Sequence, residues 1–63
     1  MSEYRLIQDD MVVAKTFGPE YFAKPDIDHY ALIYSQDGDV IVQEKVGKRW
    51  KVLYGLIHAP KVN

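Results

Sequence analysis

Four of the chain's eight Lys and Arg residues, Lys45, Lys48, Arg49 and Lys51, fall within seven positions and enclose Trp50. Basic side chains beside an exposed aromatic hold single-stranded nucleic acid, through phosphate attraction and base stacking. Tyr54 follows at strand spacing. The plainer reading is a solvated hairpin tip, whose lysines keep an edge strand soluble while Trp50 packs inward. The charge balance favours the plainer reading: the whole chain carries a formal charge of −1, and dedicated nucleic-acid binders show a basic excess.

Other chemistry has weaker support. Asp26, Asp28 and His29, with His58 far along the chain, have the donor types of a divalent-ion site. Their spacing matches no recognised ligand pattern, and acidic residues after Pro25 suit a turn. Asp37-Gly38-Asp39 lacks the further ligands of a calcium loop. The chain has no cysteine, which removes thiolate ligands, a thiol nucleophile and disulfides. Neither histidine sits in a motif that would make it a general base, and the four glycines are too scattered for a phosphate loop. The expectation is a non-enzyme with no metal and no cofactor.

The elements that must carry these residues follow from periodicity and turn chemistry. Tyr4 to Gln8 and Met11 to Phe17 read as strands joined by a tight turn at Asp9-Asp10. Pro19 suits the first turn of a helix, and Pro25 stops one, so a short helical turn is expected over 19–24. Tyr30 to Ser35, Val40 to Val46 and Arg49 to Leu56 read as strands. Asp37-Gly38 is expected to form a type I′ turn between the first two, and Gly47-Lys48 a type II′ turn between the last two. Residues 58–63 read as an irregular tail. The prediction is one small, mainly β domain over 1–63 (α+β in its minor variant). Five antiparallel strands would form a meander, and their order resembles small SH3-like or OB-like barrels in architecture alone.

The two-residue loop at Gly47-Lys48, favoured over a three-residue loop Gly47 to Arg49 that would put Val46, Val42 and Val40 on the face of Trp50, Val52, Tyr54 and Leu56, fixes register. It sets Val46 opposite Arg49, Lys45 opposite Trp50, Glu44 opposite Lys51, Gln43 opposite Val52, Val42 opposite Leu53 and Ile41 opposite Tyr54. Alternation then divides the meander into two apolar faces. Tyr30, Leu32, Tyr34, Ile41, Trp50, Val52, Tyr54 and Leu56 form the expected core face. Ile33, Val40, Val42, Val46 and Leu53 form the other. A solvated sheet face should be mostly polar, so this second face is the expected contact surface for a protein partner or a second copy.

Size points the same way. A 63-residue chain buries a modest fraction of its surface and lacks disulfides, so self-association is a route to stability. Eight aromatic residues and 48% apolar composition exclude a disordered chain. No apolar run has the length of a membrane span, and the N-terminus shows no basic segment followed by an apolar one. The reading is a small cytoplasmic binding module, engaging a protein or itself and not a membrane. Single-stranded nucleic-acid binding through Lys45, Lys48, Arg49, Trp50 and Lys51 is the alternative.

Overall fold

A computed structural model describes residues 1–58. Strands β1 (Ser2–Gln8) and β2 (Met11–Gly18) are followed by helix α1 (Glu20–Tyr34) and strands β3 (Val40–Val46) and β4 (Arg49–Leu56). The four strands make one open antiparallel sheet in the order β2-β1-β3-β4. The protein is therefore mainly β, as expected, but has four strands. Its sheet is open, with β2 and β4 as free edges. The remainder of the anticipated tail, 59–63, lies outside the described residues.

Two of the three expected turns form hairpins; at Asp37-Gly38 neither residue takes the positive φ of a type I′ turn, and helix α1 rather than a strand precedes it. Asp9 and Asp10 both take left-handed backbone angles, with φ of 53° and 62°, as a type I′ turn requires. Gly47 has φ of 63° while Lys48 stays at negative φ, the pattern of a type II′ turn. The register of the last hairpin runs as expected from Val46–Arg49 to Gln43–Val52. There a bulge inserts Leu53, and Val42 pairs with Tyr54 instead. One extra residue moves everything beyond it to the opposite face. Tyr54 and Leu56 consequently share a face with Val42 and Val40, while Trp50 and Val52 lie on the other.

The largest departure is α1. The segment expected to be a short turn, a loop and a strand is one 15-residue helix containing Pro25. A proline inside a helix removes one backbone hydrogen bond and clashes with the preceding turn. Pro25 lies on the solvent side, so its ring does not intrude on the packing of α1 against the sheet. Ala23, Ile27 and Ala31 recur every four residues and are buried, which holds both halves of the helix on the sheet. Gln8 fixes the far end of α1: its side-chain amide donates to the carbonyls of Tyr34 at 2.8 Å and Gly38 at 3.2 Å. The Tyr34 carbonyl also accepts the Asp37 N–H at 3.0 Å, so Gln8 is its second partner and ties β1 to the end of α1.

The core lies between α1 and one face of the sheet. It comprises Tyr4, Leu6, Ala23, Ile27, Ala31, Val40 and Val42. Val13, Ala14, Tyr34, Leu53, Tyr54 and Leu56 pack against its margin. Thr16 on β2 donates its hydroxyl to the carbonyl of Ala23. Tyr54 on β4 donates its hydroxyl to Asp28, which also receives Lys24 at 2.8 Å. No helix among the described residues is long and apolar enough to cross a membrane.

Candidate functional site

The five residues expected to form an apolar contact face are dispersed. Val40 and Val42 are 2% and 0% exposed and belong to the core, because the Leu53 bulge and the helix reverse which side of β3 is covered. Leu53 is half-buried at the bulge, Val46 is exposed near the hairpin tip, and Ile33 stands on the outside of α1. The surface as anticipated does not exist.

Two other surfaces remain uncovered. The first is the outer side of α1. At 100° per residue, Tyr21, Phe22, Pro25, His29, Leu32 and Ile33 fall within an arc of about 120° centred opposite Ile27. All six are exposed. Tyr21 is 75% accessible, Phe22 63%, Leu32 62% and Ile33 48%. Tyr21 and Phe22 place their ring centroids 5.0 Å apart at one end, and Leu32 and Ile33 form an aliphatic pair at the other. A helix lying on a sheet ordinarily shows water a charged or polar side. The charges here lie off this arc: Lys24 and Asp28 on one flank, Asp26 on the other, and Glu20 at the first residue of the helix. Asp28 is held by Lys24 and Tyr54. Partial burial pushes its carboxyl pKa up, but the hydrogen bonds from Lys24 and Tyr54 and the Lys24 charge outweigh that and bring it below the ordinary value.

The second surface is the open face of the sheet. Pairing aligns Lys15, Arg5, Gln43 and Val52 across the four strands, and Val12, Ile7, Ile41 and Gly55 in the next-but-one row. Phe17 pairs with Glu3 and Lys45 with Trp50 at the hairpin-tip end, with Lys45 Nζ 3.9 Å from Glu3. The Arg5 guanidinium lies 4.0 Å over the half-buried Trp50 ring and also donates to Gln43. Lys45 approaches the same ring at 5.9 Å. Such cation–π contacts orient the cation against the ring face.

Of the basic residues singled out in the sequence, the structure puts only Lys45 with Trp50 on this face. Arg49 and Lys51 pair with Val46 and Glu44 on the opposite side, and Lys48 occupies the turn. Arg5, Lys15 and Gln43 join the face from β1, β2 and β3. Chain order does not reveal them, because β1 enters the sheet between β2 and β3.

The remaining polar candidates are occupied elsewhere. The His58 backbone N–H donates to the Asp39 carboxylate (2.7 Å), and its Nδ1 lies 3.0 Å from the Ser35 carbonyl. His29 faces solvent beside Tyr30. Among the described residues no three His, Asp or Glu side chains gather around a common point that would hold a metal ion. No protein-family model, curated protein or solved structure matches the chain.

Proposed function

We propose that the chain is a small non-catalytic binding module whose contact surface is the outer side of α1. The observation that supports this reading is the exposure of Tyr21, Phe22, Leu32 and Ile33 on a helix whose opposite side already packs the core. Helices apolar on every side are normally buried on every side, and exposed apolar patches of this kind mark contact sites. The two sheet edges are poor alternatives. Both β2 and β4 carry a bulge, and lysines line them at Lys15, Lys48 and Lys51. These features discourage strand addition. The test is capture of host proteins by the wild-type chain, by Phe22→Ala/Leu32→Ala and by Val52→Ala. The proposal expects a bound protein lost only with the helix variant, both variants retaining the wild-type circular dichroism spectrum. Retention by the helix variant overturns it.

A second reading has its own observation in the Arg5–Trp50 stack. The open face gathers three cations, Arg5, Lys15 and Lys45, against one carboxylate, Glu3, beside Trp50 and Phe17. That combination suits a single-stranded nucleic acid. Oligonucleotide binding here should change Trp50 fluorescence and weaken as salt rises. An unchanged emission spectrum at low salt removes this reading.

A further inference from the structure

We infer that the open sheet face takes a single-stranded nucleic acid of at least three nucleotides, stacking one base on Phe17 at the β2 edge and another on the Arg5–Trp50 pair towards the β4 edge. The inference rests on the second reading above and adds to it the two platforms and the shortest strand that engages both.

Charge selects the ligand. The chain's near-neutral total conceals a separation. This face holds three of the eight Lys and Arg residues, Arg5, Lys15 and Lys45, but only Glu3 of the nine Asp and Glu. Its complement is an anion. Lys45 Nζ lies 3.9 Å from Glu3, which leaves Arg5 and Lys15 without a carboxylate partner among the described residues. Gln43 accepts the Arg5 Nε–H. That bond orients the guanidinium over Trp50 and leaves both amino groups for phosphate, whose oxygens match the guanidinium fork.

Stacking narrows the anion to one class. Phe17 is 69% exposed, and α1 packs against the other side of the sheet. A solvated sheet face would carry a polar side chain there. An exposed ring among cations gives a base a π-face to stack on, and a guanidinium laid over an indole gives a second platform. An acidic peptide would use the cations but neither platform.

Spacing sets the length. Phe17, Glu3, Lys45 and Trp50 form one row across the four strands. At about 4.8 Å between neighbouring strands, the backbones of Phe17 and Trp50 lie about 14 Å apart. That is about four times the roughly 3.4 Å between stacked neighbours on one nucleic-acid strand. The two held bases therefore flank at least one further nucleotide, and the strand is unstacked between them. A duplex keeps its bases stacked and paired, so it offers the platforms no free π-face. The connecting phosphates pass over Lys45, with Lys15 and Arg5 one row away on the same face.

Trp50 is the chain's only tryptophan, so its emission reports one platform directly. The test is titration of the wild-type chain, Phe17→Ala and Glu3→Gln at low salt, with circular dichroism confirming that each is folded. The probes are oligothymidylates of two and four nucleotides, a short duplex and poly-glutamate. The tetranucleotide should bind the wild-type chain at least about tenfold more tightly than the dinucleotide, and Phe17→Ala should erase that step. Glu3→Gln should tighten the tetranucleotide by about two- to fivefold, the size of one exposed charge pair. Affinity should fall with salt at a log–log slope of about −2, from about 0.7 per neutralised phosphate at three cations. Equal binding of the two lengths, or a step that survives Phe17→Ala, overturns the inference while the second reading stands. An emission unchanged by every oligonucleotide removes both. Duplex binding as tight as the tetranucleotide overturns the inference, and poly-glutamate binding as tight makes an acidic peptide the occupant instead.

Discussion

The Tyr54 hydroxyl on β4 donates to the Asp28 carboxylate on α1, joining the edge strand to the flank of the helix that the binding surface occupies. A hydrogen bond to a charged acceptor contributes about 1.5–3 kcal/mol when well formed, and solvent reaching Asp28 reduces that. Tyr54→Phe should therefore lower unfolding free energy by about 1 kcal/mol, read from the urea midpoint. The same change in an Asp28→Asn background should cost clearly less. Equal costs in both backgrounds contradict a direct coupling of the two side chains.

This pair also sets a pH dependence. The Asp28 carboxyl has a folded pKa below its ordinary value of 3.8. Its contribution is complete above that value and is lost as pH falls through the lowered one. Burial, then the Asp28 hydrogen bond and charge, raise the Tyr54 phenol above its ordinary 10.0. Its contribution is complete below pH 10 and is lost as pH rises through the raised value. Tyr4, also raised, with burial the largest cause, adds to the alkaline limb. Thermal melts across pH should show a broad plateau that falls below pH 4 and above pH 10, with the Tyr54→Phe variant less sensitive at both ends.

The buried and exposed apolar residues should respond in opposite ways to charge. Val42 is fully enclosed beneath α1, and an unpaired carboxylate there costs more than the roughly 3–9 kcal/mol total stability of a domain this size. Val42→Glu should unfold the chain, whereas Leu32→Glu should leave its circular dichroism and melting temperature nearly unchanged. Leu6→Ala should cost about 2–5 kcal/mol. A folded Val42→Glu would show that β3 presents its other side to the helix.

The first turn stores a removable cost. Asp9 and Asp10 both sit at positive φ, a region that costs a non-glycine residue on the order of 1 kcal/mol, and they place two like charges side by side. Asp10→Gly keeps the type I′ geometry and should raise the melting temperature by about 4–8 °C for each kcal/mol relieved. An unchanged or lower melting temperature would mean that the turn is not under this strain.

The parts of the fold legible in the sequence were those set locally. Asp9-Asp10 and Gly47-Lys48 announce their hairpins, and a two-residue turn dictates pairing as far as Gln43–Val52. The Leu53 bulge has no such signal: no glycine marks it, and it places Tyr54 and Leu56 on the face of Val42 and Val40 and apart from Trp50 and Val52. The helix was hidden by its own outer stripe. With Tyr30, Leu32, Ile33 and Tyr34 all apolar, the four-residue period of Ala23, Ile27 and Ala31 is masked, and Pro25 reads as a stop. Two of the residues that disguised α1 as a strand, Leu32 and Ile33, belong to its candidate binding surface. The open-face cluster was half legible: Lys45 and Trp50 are joined by their hairpin, while Arg5 reaches them through a strand order that local pattern does not encode.

The most direct test of the central claim, that the outer side of α1 rather than the sheet is the contact surface, is a comparison of amide and methyl nuclear magnetic resonance spectra of the wild-type chain alone and with the host protein that it captures. The account predicts shifts and broadening concentrated at Tyr21, Phe22, His29, Leu32 and Ile33, with Arg5, Lys45 and Trp50 unmoved. Changes centred on Arg5, Lys45 and Trp50 while α1 stays still would contradict it.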